Sequence, residues 1–178
     1  MGQPSGSGHF SVELREENGE LTFNFSRAQS KDKLVIFNLK ELNKKNLNYK
    51  ISLTFDGSIA KMYIDGEEVS NCDVGNIGGS ANTANWSVGN LYNGALDDYR
   101  RTGDPAFKGI IDDIRFYNRA LTSIEIGKLE NGIEPTNGLV AKYDFEGTTP
   151  LKDKTNNGYD AWLTNTPIVV EWGMQILS

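Results

Sequence analysis

The sequence is poor in the residues that build disulfides and zinc sites, with one cysteine and one histidine in 178 residues. A single cysteine, Cys72, excludes an intrachain disulfide framework and cannot by itself form a zinc site. A thiol nucleophile would also need a basic partner. The sole histidine, His9, lies at the end of a Gly/Ser-rich N-terminal stretch, so cysteine catalysis is not expected.

An excess of basic residues and long apolar runs are also missing. The formal net charge of −6 would repel a phosphate backbone, and we therefore expect no nucleic-acid partner. No run approaches the roughly 18 apolar residues of a membrane span. Residues 1–8 lack the basic and apolar parts of a signal peptide and are predicted to be a flexible segment.

The sequence does contain short stretches in which apolar and polar residues alternate, the pattern of half-buried strands. Such alternation on both sides of Asn18–Gly19 predicts a β-hairpin that begins at Phe10. Two Asp-Gly turns, Asp56–Gly57 and Asp65–Gly66, mark the ends of further short strands over residues 51–64. Together these features predict an antiparallel all-β domain.

Between residues 71 and 105 the sequence becomes rich in Gly, Asn, Asp and Ser, with aromatic residues embedded. Such a long irregular stretch is typical of a functional loop. Aromatic rings stack on the apolar faces of sugars, and Asp and Arg form bidentate hydrogen bonds with their hydroxyls. The candidate ligand-binding residues are Tyr92, Asp97, Asp98, Tyr99, Arg100, Arg101 and Trp86. An alternative stays open, in which Trp86 belongs to the core and the tyrosines shield loop backbone.

Regular patterns return after this loop. The stretch Ile110–Tyr117 is predicted to be one strand. Thr122 and Glu125 then form a capping-box pattern, which predicts a short helix through Leu129 that Gly132 ends.

The C-terminal part is predicted to contain a linker followed by a few more strands. Glu134–Gly138 is the linker, and Leu139–Phe145 is the next predicted strand. A polar, turn-rich segment covers Asp153–Asp160, and further strands are predicted around Trp162 and over Ile168–Leu177. About forty residues are too few for an independent sandwich, so this part completes the same domain or belongs to a neighbour.

Three segments carry a resemblance to a known family. Leu53–Gly66 contains two strands with Asp-Gly turns, Gly109–Ile126 combines a strand with a short capped helix, and Gly138–Asp160 combines a strand with a polar turn. They resemble, respectively, the paired strands, the closing segment and the opening segment of the laminin G-like branch of the concanavalin A-like lectin and glucanase superfamily. The resemblance implies an antiparallel two-sheet jelly-roll sandwich with one short helix.

The order of these segments is unusual, because the one that should open the domain comes last. We predict a single jelly-roll domain over residues 9–178, with residues 9–134 as its main part and residues 138–178 supplying the opening strands. A permutation is physically easy when opening and closing strands lie side by side. Two alternatives stay open: a cut across tandem copies, and a domain whose missing strands come from a partner by strand addition.

Several acidic and amide side chains could gather around a cation. Asp112 would share the inward face with Ile110 and Ile114, where a carboxylate needs a partner. Oxygen-rich turns bind calcium, and the resemblance implies that a structural calcium is common. The candidate metal ligands are Asp112, Asp113, Asp153, Asn157 and Asp160. The alternative is that these aspartates cap backbone amides of the neighbouring loop.

The resemblance also bears on catalysis. Enzymatic members carry acidic residues at alternate positions of a central strand, but here the comparable Glu13, Glu16 and Glu17 run into the Asn18–Gly19 turn. We therefore expect a non-catalytic carbohydrate-binding or adhesion module of a secreted, cell-surface or virion-surface protein, with a glycan or surface protein as partner. One alternative is a structural module that binds proteins, forms a homo-oligomer or accepts a strand from a neighbouring domain. Another is an accessory domain of a larger glycan-processing enzyme.

Overall fold

The computed structural model describes residues 10–17, 20–27, 30–38, 48–73, 88, 109–162, 168–170 and 173–176. These residues form antiparallel sheets and one helix, α1. The strands are β1 Phe10–Glu17, β2 Glu20–Arg27, β3 Ser30–Asn38, β4 Ile51–Phe55, β5 Ile59–Ile64, β6 Glu67–Asp73, β7 Gly109–Ile111, β8 Ile114–Tyr117, β9 Leu139–Tyr143, β10 Ile168–Val170 and β11 Gly173–Ile176. The helix α1 covers Ser123–Glu130. The chain divides into two units, residues 1–82 with 119–136 and residues 83–118 with 137–178.

The first unit opens with the predicted hairpin, which is confirmed. Strands β1 and β2 pair antiparallel, with Glu17 opposite Glu20 across the expected turn. Strand β3 pairs with the other edge of β2 and also contacts β5 and β6. The mostly β, antiparallel character predicted from residue alternation is thus present.

A second sheet in this unit has the order β4-β5-β6. Both predicted Asp-Gly turns are confirmed. Asp65 and Gly66 adopt φ of 49° and 85°, the left-handed conformations of a two-residue hairpin turn. The Asp56 carboxylate accepts hydrogen bonds from the N–H groups of Ser58 (2.9 Å) and Ile59 (2.7 Å). These local contacts set the register of β5 against its neighbours.

The core of the first unit lies on β5 and beside α1. Ala60, Met62 and Ile64 alternate along β5 and are all buried, as the period-two pattern requires. Leu121 and Ile126, before and within α1, are buried as well. Apolar burial of this kind is the main favourable contribution to the stability of the unit.

The predicted helix is confirmed together with its caps. Thr122 is the N-cap, its hydroxyl accepts a hydrogen bond from the N–H of Glu125, and the Glu125 side chain accepts one from the N–H of Thr122. At the other end, the Lys50 ammonium donates to the Glu130 carbonyl at 2.9 Å. A cation there also interacts favourably with the helix dipole.

The second unit contains two small sheets, β8-β9 and β10-β11-β7. Strand β9 pairs antiparallel with β8, with Tyr143 opposite Ile114. Strand β11 pairs antiparallel with β7. The C-terminal segment therefore pairs with both parts of the region predicted as the strand Ile110–Tyr117.

Two predictions about the strands are wrong, and one strand was missed. The strand expected over Ile110–Tyr117 is interrupted, because Asp113 has a left-handed φ of 57° and separates β7 from β8. Ala161 and Trp162 are not in a strand. Strand β6 was not predicted, since its sequence is mostly polar and lacks an apolar alternation.

Within the described part of the chain, no helix is long and apolar enough to span a membrane.

Candidate functional site

Most of the predicted sugar-binding loop lies outside the described residues. Its candidate ligand-binding residues all lie outside the described residues: Trp86, Tyr92, Asp97, Asp98, Tyr99, Arg100 and Arg101. Residues 1–8, predicted to be flexible, lie outside them as well. The predicted metal ligands, by contrast, all fall in the described part of the second unit.

Asp153 is the centre of the polar loop that follows β9, and its side chain is almost completely buried at 1% exposure. Backbone N–H groups of Lys142 (3.2 Å), Thr155 (2.9 Å) and Tyr159 (3.3 Å) donate hydrogen bonds to its carboxylate oxygens. The Thr155 hydroxyl lies 2.7 and 2.8 Å from the two oxygens. Four donor groups thus surround a carboxylate that offers about four lone-pair sites, which compensates the loss of solvent.

These hydrogen bonds also set the charge state of the buried carboxyl. Burial by itself raises the pKa of Asp153, but hydrogen bonds from Thr155, Lys142 and Tyr159 outweigh burial and place that pKa below its ordinary value of 3.8. The side chain is therefore a carboxylate at neutral pH. A charged acceptor strengthens each of the hydrogen bonds that it receives.

The polar loop that contains Asp153 also covers the outer edge of β9, which is the edge that does not pair with β8. The Lys142 carbonyl accepts a hydrogen bond from the Lys154 N–H at 2.8 Å. The Val140 carbonyl lies 2.8 Å from the side-chain nitrogen of Asn157, which donates to it, and 3.0 Å from the Thr155 hydroxyl. Side chains and backbone of the loop therefore satisfy polar groups that an edge strand would otherwise present to another chain.

The remaining predicted metal ligands also have protein partners. Asp160 accepts a hydrogen bond from the N–H of Asp153 at 2.9 Å. The Asp113 carboxylate forms an ion pair with Arg115 at 2.8 Å. Asp112 is exposed rather than inward-facing as predicted, because the chain leaves the strand at these two residues.

The described residues contain no group of three or more His, Cys, Asp or Glu side chains placed to hold a metal. The carboxylate of Asp153 is already surrounded by donors, whereas a calcium ligand must direct its oxygens at the ion. For Asp153 and Asp160, the geometry matches the alternative role of capping backbone amides. Calcium binding itself stays a prediction.

Two aromatic residues that were not among the candidate site residues predicted from the sequence lie at the end of this loop. Tyr159 and Trp162 are 58% and 60% exposed. The backbone of Tyr159 is held on both sides, since its N–H donates to Asp153 and its carbonyl accepts the hydroxyl of Tyr143. Burial, followed by the charges of Asp153 and Asp160, raises the pKa of Tyr143, so this hydroxyl keeps the proton that it donates.

Comparison with known proteins gives three findings, of which two concern individual proteins. No curated protein matches the chain. A solved structure of an S-layer domain-containing protein (residues 221–444) from Clostridium thermocellum is similar, with 20% sequence identity and a TM-score of 0.41. The match covers 72% of this chain and 59% of that one, so this chain spans less than two thirds of that structure.

The family resemblance is confirmed over most of the chain. A laminin G-like family model matches residues 1–127, which include the segments Leu53–Gly66 and Gly109–Ile126. The segment Gly138–Asp160 lies beyond the matched region. Because the match covers more than half of its length, the chain belongs to the concanavalin A-like lectin/glucanases superfamily.

Proposed function

We propose that this chain is a non-catalytic carbohydrate-binding or adhesion module of a secreted, cell-surface or virion-surface protein. The name of its superfamily covers both lectins and glucanases. The choice between a binding module and a glycosidase therefore depends on whether the carboxyl groups could act as catalytic acid and base. The observation that carries the proposal is that several carboxylates of the described residues are held by cationic or N–H groups of the protein: Glu68, Asp113, Glu125, Asp144 and Asp153. A glycosidase needs one carboxyl with a raised pKa and a second one facing the same bond.

Two glutamates of the first unit show how such partners make a carboxyl group unsuitable as a catalytic acid. The Arg119 guanidinium, 2.5 Å from Glu125, and the N–H of Thr122 lower the pKa of Glu125 to about 2. Hydrogen bonds from Lys61 (2.8 Å) and Asn71 (2.8 Å) lower the pKa of Glu68. Neither group suits a general acid, which must hold its proton near neutral pH.

Asp112 differs, because partial loss of solvent around its carboxyl raises its pKa although the residue is exposed, with further contributions from the charges of Asp113 and Asp144. Both of these neighbours are engaged in ion pairs, Asp113 with Arg115 (2.8 Å) and Asp144 with Lys154 (3.0 Å). These ion pairs support a structural role for Asp113 and Asp144.

The proposed ligand-binding residues remain those of the loop between residues 71 and 105. A glycan array with the wild type and a Tyr92→Ala/Tyr99→Ala variant tests the proposal. We expect the wild type to bind at least one glycan class and the variant to bind more weakly. Absence of any binding at high protein concentration would overturn the lectin function.

The alternative of self-assembly is tested by light scattering on the same wild-type protein. The covered edge of β9 disfavours strand addition at that place, and we expect a monomer. A concentration-dependent oligomer together with an empty glycan array would favour the structural interaction module instead.

A further inference from the structure

Strand β9 has an extra residue at the point where its pairing with β8 is irregular. Phe116 lies opposite Ala141, whereas the next residue of β8 lies opposite Leu139. Val140 is therefore the extra residue. A residue in this position needs other partners for its backbone polar groups, and the carbonyl of Val140 finds them in the polar loop that follows β9.

Two side chains of that loop lie close to the Val140 carbonyl, but only one of them is committed to it. The Thr155 hydroxyl is 3.0 Å away, yet it also lies 2.7 and 2.8 Å from the two carboxylate oxygens of Asp153. A hydroxyl has a single proton to donate, and a charged acceptor forms the stronger hydrogen bond, so this proton goes to Asp153. The Asn157 amide, 2.8 Å from the carbonyl, is the donor that Val140 keeps.

Asn157 is followed by Gly158, and an Asn-Gly pair can react with itself. The glycine nitrogen attacks the carbonyl carbon of the side-chain amide and loses its proton to water, ammonia leaves, and a cyclic imide forms. Water then opens the imide at either carbonyl and gives aspartate or isoaspartate at position 157. Gly158 has no side chain to obstruct the attack, the space beside its α-carbon is open, and both residues are exposed.

A second Asn-Gly pair, Asn131–Gly132 after α1, provides a comparison within the described residues. There the attacking group is occupied, because the N–H of Gly132 donates to the Leu129 carbonyl at 3.0 Å. In the described part of the chain, the N–H of Gly158 has no hydrogen-bond acceptor. The nitrogen of Gly132 must first break a hydrogen bond before it can attack, and that of Gly158 need not.

The reaction would change what the Val140 carbonyl faces. The amide nitrogen that donates to it is lost as ammonia, and a carboxylate takes its place. Two acceptors then lie where a donor and an acceptor lay 2.8 Å apart, and a carbonyl without a donor is unfavourable. Backbone groups of an edge strand that lose their partners become accessible.

We propose that Asn157–Gly158 is a site of spontaneous deamidation, and that this modification releases the loop from the outer edge of β9 at Val140. The reaction consumes water and needs no enzyme. The edge of β9 is therefore covered in a newly made chain and becomes uncovered as the chain ages. This inference is independent of the proposed glycan-binding function.

The first experiment measures the modification. The full wild-type chain is kept at mildly alkaline pH, and samples taken over time are digested and mapped by mass spectrometry. We expect the mass gain of deamidation to appear in the peptide that contains Asn157, and roughly tenfold more slowly in the one that contains Asn131, where one hydrogen bond must open first. In urea, where the folded contacts are lost, the two pairs should react at similar rates. Asn157→Gln should not react at this position, because its longer side chain closes a larger and less favourable ring. An unmodified Asn157, or the same ratio of rates in the folded chain and in urea, would overturn the site.

The second experiment measures the release of the edge, with Asn157→Asp as a mimic of one product. Hydrogen exchange is followed at the N–H groups of Lys142 and Lys154, which join β9 and the loop. Both should exchange roughly tenfold faster in Asn157→Asp than in the wild type. Asn156→Asp is the matched control, since it makes the same change at the exposed neighbour in the same loop and should exchange like the wild type.

Exchange in β5, which lies in the other unit, verifies that each variant is folded. If Asn157→Asp does not fold, the deamidated fraction of the aged wild type is separated by charge and measured in its place. Unchanged exchange at Lys142 and Lys154, or an equal increase in Asn156→Asp, would overturn the release of the edge.

Discussion

At the residue scale, Asp153 shows how hydrogen-bond donors of the protein compensate a buried charge. Three backbone N–H groups and one hydroxyl surround it. The contacts connect positions as far apart as Lys142 and Tyr159, so one side chain holds the strand β9 and the following loop together. Removing it would leave several donors without acceptors.

We predict that Asp153→Ala destabilises the fold by about 3 kcal/mol or more, because each buried donor left unsatisfied costs roughly 1–3 kcal/mol. Asp153→Asn retains one acceptor oxygen and should lose about half as much. Urea unfolding measures both free energies. Asp113→Asn is the control: the side chain of this exposed residue forms a surface ion pair, which contributes less than about 1 kcal/mol. Equal losses for Asp153→Asn and Asp113→Asn would contradict the role assigned to Asp153.

At the element scale, the N-terminus of α1 makes stability depend on pH. The pKa of Glu125 is lowered from 4.5 to about 2 in the folded chain, first by Arg119 and then by Thr122. The unfolded state therefore binds the proton at higher pH than the folded state does. The resulting stabilisation is complete above pH 4.5 and is lost as the pH falls toward 2.

We predict that Glu125→Gln flattens the fall in melting temperature between about pH 5 and pH 2. The wild type should lose more stability than the variant over this window, because only the wild type has the carboxylate to protonate. Melting curves at a series of pH values provide the measurement, and Glu146→Gln, at an exposed glutamate of the other unit, is the control. Parallel curves for the wild type and Glu125→Gln would refute the prediction.

The elements that the sequence predicted are those with local signals. The Asp65–Gly66 turn needs two residues that tolerate positive φ, and the helix cap needs Thr122 and Glu125 three positions apart, so both can be recognised from neighbours in the chain. The break at Asp112 and Asp113 has no such signal, because the flanking apolar residues continue the strand pattern.

The candidate site was less predictable, for a related reason. Asp153 and Asp160 were singled out as metal ligands, but the partners of Asp153 include the N–H of Lys142, which lies in β9 on the other side of the turn. Such partners become known only when the strand and loop are folded together. Likewise, the sequence placed Trp162 in a strand and could not show that its ring is exposed.

At the scale of the whole molecule, the central question is what residues 138–178 complete. We predict that a chain ending at residue 134 melts at a lower temperature than the full chain, because it lacks β9 and β11, the partners of β8 and β7. A chain ending at residue 162 keeps β9 and its loop, and it should recover part of the difference. Calorimetric melting compares the three chains. An unchanged midpoint for the shortest chain would favour a cut across tandem copies over one permuted domain.

Calcium binding can be tested separately, on the full chain. A structural ion that binds only the native state must raise the melting temperature. If calcium binds as the sequence predicts, adding a chelator should lower the midpoint and returning excess calcium should restore it. An unchanged midpoint would show that the amide-capping contacts of Asp153 and Asp160 are sufficient without an ion.

The loop that covers the outer edge of β9 also bears on how such modules evolve. Lys142 and Val140 find their partners within the twenty residues that follow, in Asp153, Lys154, Thr155 and Asn157. A strand whose outer edge is satisfied by its own loop requires a neighbour on one side only. Gene fusion or rearrangement can therefore join this segment before or after the rest of a module without exposing a strand edge whose backbone N–H and C=O groups are unpaired. That tolerance offers a physical route to the inverted order of segments that the sequence predicts.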